Sequence, residues 1–245
     1  MKESPVETKT GSPPAAVVIA TRNRAEAIEK YALSSLGRSA FQDFVCVVWD
    51  ASDGPATREV CAPRRWPFAL RYREAPRTGL PSQRNDAVRY VLAAYPSVRV
   101  VVFIDDDCEL SEDALDGVME TFRGGDPAIV NIPMRAAAPA SLRARARRWL
   151  RRRLGMNRCG ATAFLYNYGG EGEAPGSDAE WSCGCAMAVG ASVFRDLRVF
   201  FPEAFQRFGG YALGEDFAFS FFVSQKLHGR IVNSLRGHSC HHRVV

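Results

Sequence analysis

The chain has 245 residues, 47% of them hydrophobic and 24% charged, with a formal net charge of +5. These proportions exclude a wholly disordered protein, and no stretch approaches the ~18 apolar residues of a membrane span. The positive surplus is local, because seven arginines fall between Arg143 and Arg153, so overall charge makes no case for nucleic-acid binding.

Residues 1–14 are polar and rich in turn formers and read as a flexible tail. They lack the apolar run of a secretory signal, so a cytoplasmic protein is expected, with a peripheral place at a membrane surface as the variant. Ala15–Ala20 is an unbroken apolar run short enough for a buried strand. Arg24–Leu36 has helical spacing through Ile28, Ala32, Leu33 and Leu36, with Gly37 as a stop. Phe44–Trp49 predicts a second buried strand and Phe68–Arg73 a third. Ser82–Tyr95 predicts a helix stopped by Pro96, and Arg99–Ile104 is the strongest strand in the chain. Ser111 is then placed as the cap of another helix.

Strands that alternate with helices, each an unbroken apolar run, predict an α/β fold with a mostly parallel sheet covered on both faces. Beyond residue 127 the pattern is less regular. Ala128–Met134 reads as a strand, Leu142–Leu154 as a basic helix, 169–179 as a loop, and Cys185–Val189 as an apolar segment. Ala191–Leu197 reads as a short helix and Glu215–Leu227 as an aromatic-rich one. The seven cysteines are odd in number and several lie in apolar runs, which predicts reduced, mostly buried thiols. Cys183 and Cys185 lack the C-x-x-C spacing of zinc and redox pairs.

Ligands of such sheets bind beyond the carboxyl ends of the strands. Asp50 and Asp105-Asp106-Asp107 follow directly from apolar strands and stand at that edge. Three adjacent carboxylates repel one another unless a cation relieves them, and Mg²⁺ is held by carboxylates together with substrate phosphates. The bland alternative is an acidic turn capping the next helix. Asp50, with Ser52 and Asp53, can accept from a base or ribose, or simply form a turn. Gly214-Glu215-Asp216 opens an apolar helix, where acids are favoured in any case. His238, His241 and His242 lie near the C-terminus, either as a solvated tail or as a source of a metal-binding imidazole.

In order along the chain, VVIATRNRAEAIEKYALSSL, VVWDASDG, TGLPSQRNDAV, VVFIDDDCELSEDAL, CGCAMAVGASVFRDL and FQRFGGYALGEDFAFSFFVSQKLHGRI resemble the motifs of family 2 glycosyltransferases. The resemblance covers roughly residues 15–242 and ends on an x-H pair matched best by His241. It implies a Rossmann-like GT-A fold in one domain, with a nucleotide-binding half at 15–125 and an acceptor-binding half at 126–245. It also implies inverting transfer from a nucleotide-sugar, UDP-linked as is commonest in the family, with Mn²⁺ or Mg²⁺ as cofactor. By the same resemblance Asp107, helped by Asp105 and with His241, holds the metal, and Thr21, Asn23, Arg24, Asp50, Arg84, Asp105 and Asp106 bind the donor. Asp216 is then the catalytic base, while Trp181, Gly184 and Glu215 line the sugar and acceptor side.

Trp49 and Ala51 replace commoner residues beside Asp50, and no QxxRW-type motif follows Asp216, which argues against a processive enzyme. The acceptor is open among a small molecule, a lipid phosphate, a glycan and a carrier-bound group. The arginine-rich segment 143–153 suits an anionic partner or a solvated helix face. Two other functions compete. A nucleotidyltransferase needs a glycine-rich loop where this chain has TRNRAEA. A non-catalytic nucleotide-sugar or nucleic-acid binding module would have no need of both the acidic triplet and Asp216.

Overall fold

The computed structural model describes residues 13–62, 65–135, 174–207 and 214–242. The basic stretch 142–154 and the first part of the 169–179 loop lie outside them. Ten strands are formed by the described residues: β1 Ala15–Thr21, β2 Phe44–Asp50, β3 Ala69–Glu74, β4 Val100–Ile104, β5 Cys108–Leu110, β6 Ile129–Asn131, β7 Met134–Arg135, β8 Ala186–Gly190, β9 Ile231–Asn233 and β10 Ser239–His241. Seven make the central sheet in the order β3-β2-β1-β4-β8-β6-β9, and β5-β10-β7 make a small second sheet.

β1 to β4 are mutually parallel, β8 runs antiparallel to both β4 and β6, and β6 and β9 are parallel. The sheet is therefore mostly parallel, and β6, β8 and β9, from beyond residue 127, complete it. β1, β2 and β4 are almost wholly buried because apolar side chains point to both faces. Val17, Ile19, Cys46, Val48, Val102 and Ile104 pack on one side with Ile28, Leu33, Leu36, Leu115 and Val118. Val18, Val47, Trp49, Val101 and Phe103 pack on the other with Val88, Val91, Phe194 and Phe219. Phe201 joins this second layer, its ring stacked 4.4 Å from that of Phe219.

Several expected boundaries shift for physical reasons. The helix after β1 runs as α1 Ala25–Ala27, a π-helical stretch Ile28–Leu33 and α2 Ser34–Gly37. α3 spans Ala56–Val60, and α4 spans Leu80–Ala94, entered through Gly79 at φ 116 with a proline in the first turn. Ser111 does not cap α5, which spans Ala114–Gly125 and begins after Asp113. Instead its hydroxyl donates to Asp113 and accepts the His238 amide at 2.9 Å, tying the returning chain to β5. The segment 128–134 splits into β6 and β7, which serve different sheets. α6 is Ala191–Arg195 and α7 is Glu215–Phe221, followed by a π-helical stretch Phe222–Lys226.

The end of the chain is not a solvated tail up to residue 242. β10 pairs antiparallel with β5, setting His241 opposite Cys108. Among the described residues, no helix is long and apolar enough to cross a membrane.

Candidate active site

The carboxyl ends of β1, β2 and β4 form one edge, and the loops there are locked to each other. Thr21 lies level with Asp50 in the β1–β2 register. Gln83, in the first turn of α4, donates through one amide nitrogen to Thr21 O at 3.0 Å and Trp49 O at 3.1 Å. Its spacing gives no sign that it joins two strand ends, and sequence reasoning missed it. Asn23 sits at φ 55, a left-handed conformation that asparagine tolerates. Its side chain accepts the Asp53 amide and donates to the Asp53 carboxylate, clamping the β1 loop to the β2 loop.

Asp50 is buried. One carboxylate oxygen accepts the Ser52 amide and hydroxyl, and the other accepts Tyr72 OH at 2.9 Å. Tyr72 was also missed; it projects from β3 one residue before the register partner of Trp49.

The acidic triplet divides its contacts. Asp106 accepts Thr21 Oγ1 at 2.7 Å and Arg24 Nη1 at 2.9 Å. Asp107 accepts Arg24 Nη2 at 2.7 Å and faces His241 Nε2 at 3.0 Å. Asp105 accepts Arg84 Nη2 at 2.8 Å. Burial pushes the Asp106 carboxyl up to about 6 against Thr21 and Arg24. Burial also raises Asp105, with Arg84 opposing. At Asp107 burial is outweighed by His241 and Arg24, and its carboxyl falls below the usual range.

Ligand atoms of Asp105, Asp107 and His241 all lie within 4.8 Å of one another. Two carboxylates and an imidazole at that spacing fit a divalent cation, while Asp106 is turned toward Thr21 and Arg24. These are the three residues that the resemblance implies for the metal, with Asp105 as the helper of Asp107.

A second set of contacts joins this cluster to α7. Arg84 is buried, 2% exposed. Beyond Asp105 it donates to Gly184 O at 2.9 Å and to Glu215 at 3.2 Å. Gly184 in turn donates its amide to Asp216 Oδ2 at 2.8 Å. Glu215 is buried, and burial raises its carboxyl with Arg84 opposing. Trp181 is buried edge-on to Phe217, the neighbour of Asp216, at 6.2 Å between ring centres.

Gly184 leaves no room for a side chain: a Cβ would lie 2.8 Å from Arg84 Nη1 and 3.0 Å from Asp216 Cβ. Gly184→Ala is accordingly expected to destabilise the protein by ~1–3 kcal/mol through overpacking. Urea denaturation measures this, and an unchanged midpoint would mean that the buried contacts yield freely.

The sequence matches the family described as glycosyl transferase family 2 over residues 16–170. No curated protein matches the sequence closely enough to be counted a relative. Among solved structures, the fold resembles S. aureus TarS 1-349, with TM-score 0.63 and 17% identity over 93% of this chain and 60% of that one. It also resembles the mannosyltransferase PcManGT from Pyrobaculum calidifontis in complex with GDP-Man and Mn²⁺, with TM-score 0.62 and 18% identity over 94% of this chain and 57% of that one. GalNAc-T7 with UDP, GalNAc and Mn²⁺ superposes with TM-score 0.71 at 12% identity, over 96% of this chain and 45% of that one. The chain thus spans less than two thirds of each of these proteins, which share its GT-A fold. With the family's sequence pattern running through β1, β2, α4 and the acidic triplet, the chain belongs to glycosyl transferase family 2.

Proposed function

We propose that the protein transfers a sugar from a nucleotide-sugar donor to an acceptor nucleophile, with inversion and with a divalent cation. The observation that carries this reading is one connected network. Asp105, Asp107 and His241 converge at a spacing suited to a cation, and Arg84 and Gly184 join Asp105 to Asp216. The structures named above that hold UDP or GDP-Man with Mn²⁺ support it.

A divalent ion at Asp105, Asp107 and His241 would neutralise charge on the leaving diphosphate. The imidazole among the ligands favours Mn²⁺ over Mg²⁺, which prefers an all-oxygen set. Asp50 keeps one acceptor position on Oδ2 beyond its bonds to Ser52 and Tyr72 and is assigned to the nucleotide base. Thr21, Asn23 and Arg24 shape the donor pocket around it. A UDP-linked sugar is the assigned donor class. Asp216 takes the proton of the acceptor hydroxyl as that oxygen attacks the anomeric carbon, and a single displacement inverts that carbon.

Arg84, expected at the nucleotide, is assigned instead as a positioning residue, because its donors already serve Asp105, Gly184 and Glu215. Glu215, expected at the acceptor, is assigned as the buried counter-charge of Arg84. Residues 15–125 supply the donor half and 126–245 the acceptor half, with Trp181 and Gly184 beside the sugar. The arginine-rich segment 143–153 is assigned to an anionic acceptor or surface, for its charge alone.

UDP or another nucleoside diphosphate at about a hundred times its Kd should stabilise the protein by ~2.7 kcal/mol. For a domain of this size that is roughly 5–10 °C in Tm, and only with Mn²⁺ or Mg²⁺ present. A thermal-shift panel of nucleotides with and without metal checks it. Absence of metal-linked stabilisation with every nucleotide would overturn the donor site.

A further inference from the structure

We propose that Cys183 and Cys185 form a reversible disulfide that disconnects Asp216 from the acidic cluster, a redox switch that rests on the catalytic reading above. The sulfurs of the pair are 3.3 Å apart. A turn closed by the Ala186 amide on Cys183 O brings them together. Both thiols are free; Cys183 is half-buried and Cys185 buried.

The residue between them makes the pair consequential. Gly184 gives its amide to Asp216 and its carbonyl to Arg84, so its two peptide groups are the link from the base to Asp105. The flanks of this segment are held. Ser182 donates its amide to Ser220 and its hydroxyl to Asn131, and Cys185 O accepts the Asp105 amide at 3.0 Å. Disulfide formation draws the sulfurs to ~2.05 Å with a Cβ–S–S–Cβ dihedral near a right angle. With both flanks tied down, the resulting movement of more than about 1 Å falls on the Gly184 peptides. Their hydrogen bonds to Asp216 and Arg84 are then lost or lengthened.

The chemistry closes with a small-molecule disulfide such as oxidised glutathione. The Cys183 thiolate attacks one of its sulfurs and releases the first thiolate. The Cys185 thiolate then attacks Cys183 Sγ and displaces the second. The protein pair loses two electrons, the small disulfide gains them, and the protons of the protein thiols pass to the two released thiols. Cys183 is pushed up by its bond to Cys185 and by burial, and Cys185 by Cys108 and by burial. Little thiolate is present in either group, so closure is slow.

The test equilibrates the full chain in glutathione buffers of increasing oxidised fraction, traps free thiols by alkylation and maps the peptides. A Cys183–Cys185 bridge is expected at the oxidising end, with turnover falling at least about tenfold and returning on reduction. Cys183→Ala and Cys185→Ala should both be insensitive to the oxidant. Two alkylated thiols at the most oxidising ratio would overturn the switch, as would a mapped bridge with unchanged turnover. Amide exchange at Gly184 gives a readout independent of any donor, and a rise of at least about tenfold is expected in the bridged form. If the reduced protein shows neither turnover nor metal-linked nucleotide binding, the catalytic reading fails, while the peptide map and the Gly184 amide still decide the switch.

Discussion

Asp216→Asn is expected to lower sugar transfer by about 10²–10⁴-fold, the usual worth of a general base, while donor affinity stays within about threefold. Asp216 enters α7 behind Gly214, whose φ of 85 turns the chain into the site. Its two oxygens accept the amides of Gly184 at 2.8 Å and Phe217 at 2.7 Å, which orients the carboxylate and leaves each oxygen a further lone pair. Asparagine keeps the shape but has one acceptor oxygen, so one of those amides loses its partner at a cost of ~1–3 kcal/mol. Neither change touches Asp50, Asp105, Asp107 or His241. Donor binding with metal, followed by calorimetry, should therefore persist while single-turnover transfer is lost. A variant that keeps more than about a tenth of wild-type turnover would move the base to another group.

The donor edge was readable because its cause is local. β1, β2 and β4 are apolar runs buried on both faces, and the acids that end them are placed by the strands themselves. What escaped the sequence depends on pairings between distant residues. Arg84 meets Glu215 across 131 positions and Gly184 across 100. Nothing in TGLPSQRNDAV shows that its arginine is buried between them. His241 stood in an apparent tail, and only the β5–β10 pairing carries it to Asp107. Ser111 has the residue type of a helix cap, yet the chain returning at His238 takes its hydroxyl. The antiparallel course of β8 was equally hidden, because an apolar run of five residues reads alike in either direction. The same turn before β8 supplies Gly184, which hydrogen-bonds to both Arg84 and Asp216.

Arg84→Met should destabilise the protein by ~3–5 kcal/mol at neutral pH, because it leaves buried carboxylates without their counter-charge. The guanidinium reaches Asp105, Gly184 O and Glu215 and lies 5.4 Å from the centre of the Phe201 ring. Methionine retains the apolar packing on Phe201, so the loss isolates the charge. The pH dependence follows from Glu215. Burial already raises its folded-state pKa despite Arg84, so the folded protein holds that proton more tightly than the unfolded chain. Such a group stabilises the fold below the unfolded value of ~4.3, and that contribution is lost as pH rises through the folded value. Removing Arg84 takes away the group that opposes the shift, and the folded value climbs further. The deficit against wild type should therefore shrink as pH falls toward the unfolded value and Glu215 takes up its proton, and be largest at neutral pH. Arg84→Lys should fall between the two, since an ammonium keeps the charge but does not span the same acceptors as the planar fork. Urea denaturation of the three proteins at acidic and neutral pH measures this. A deficit below ~1 kcal/mol, or one that does not change with pH, would show that the carboxylates find other partners and that Arg84 is not what holds the two halves of the site together.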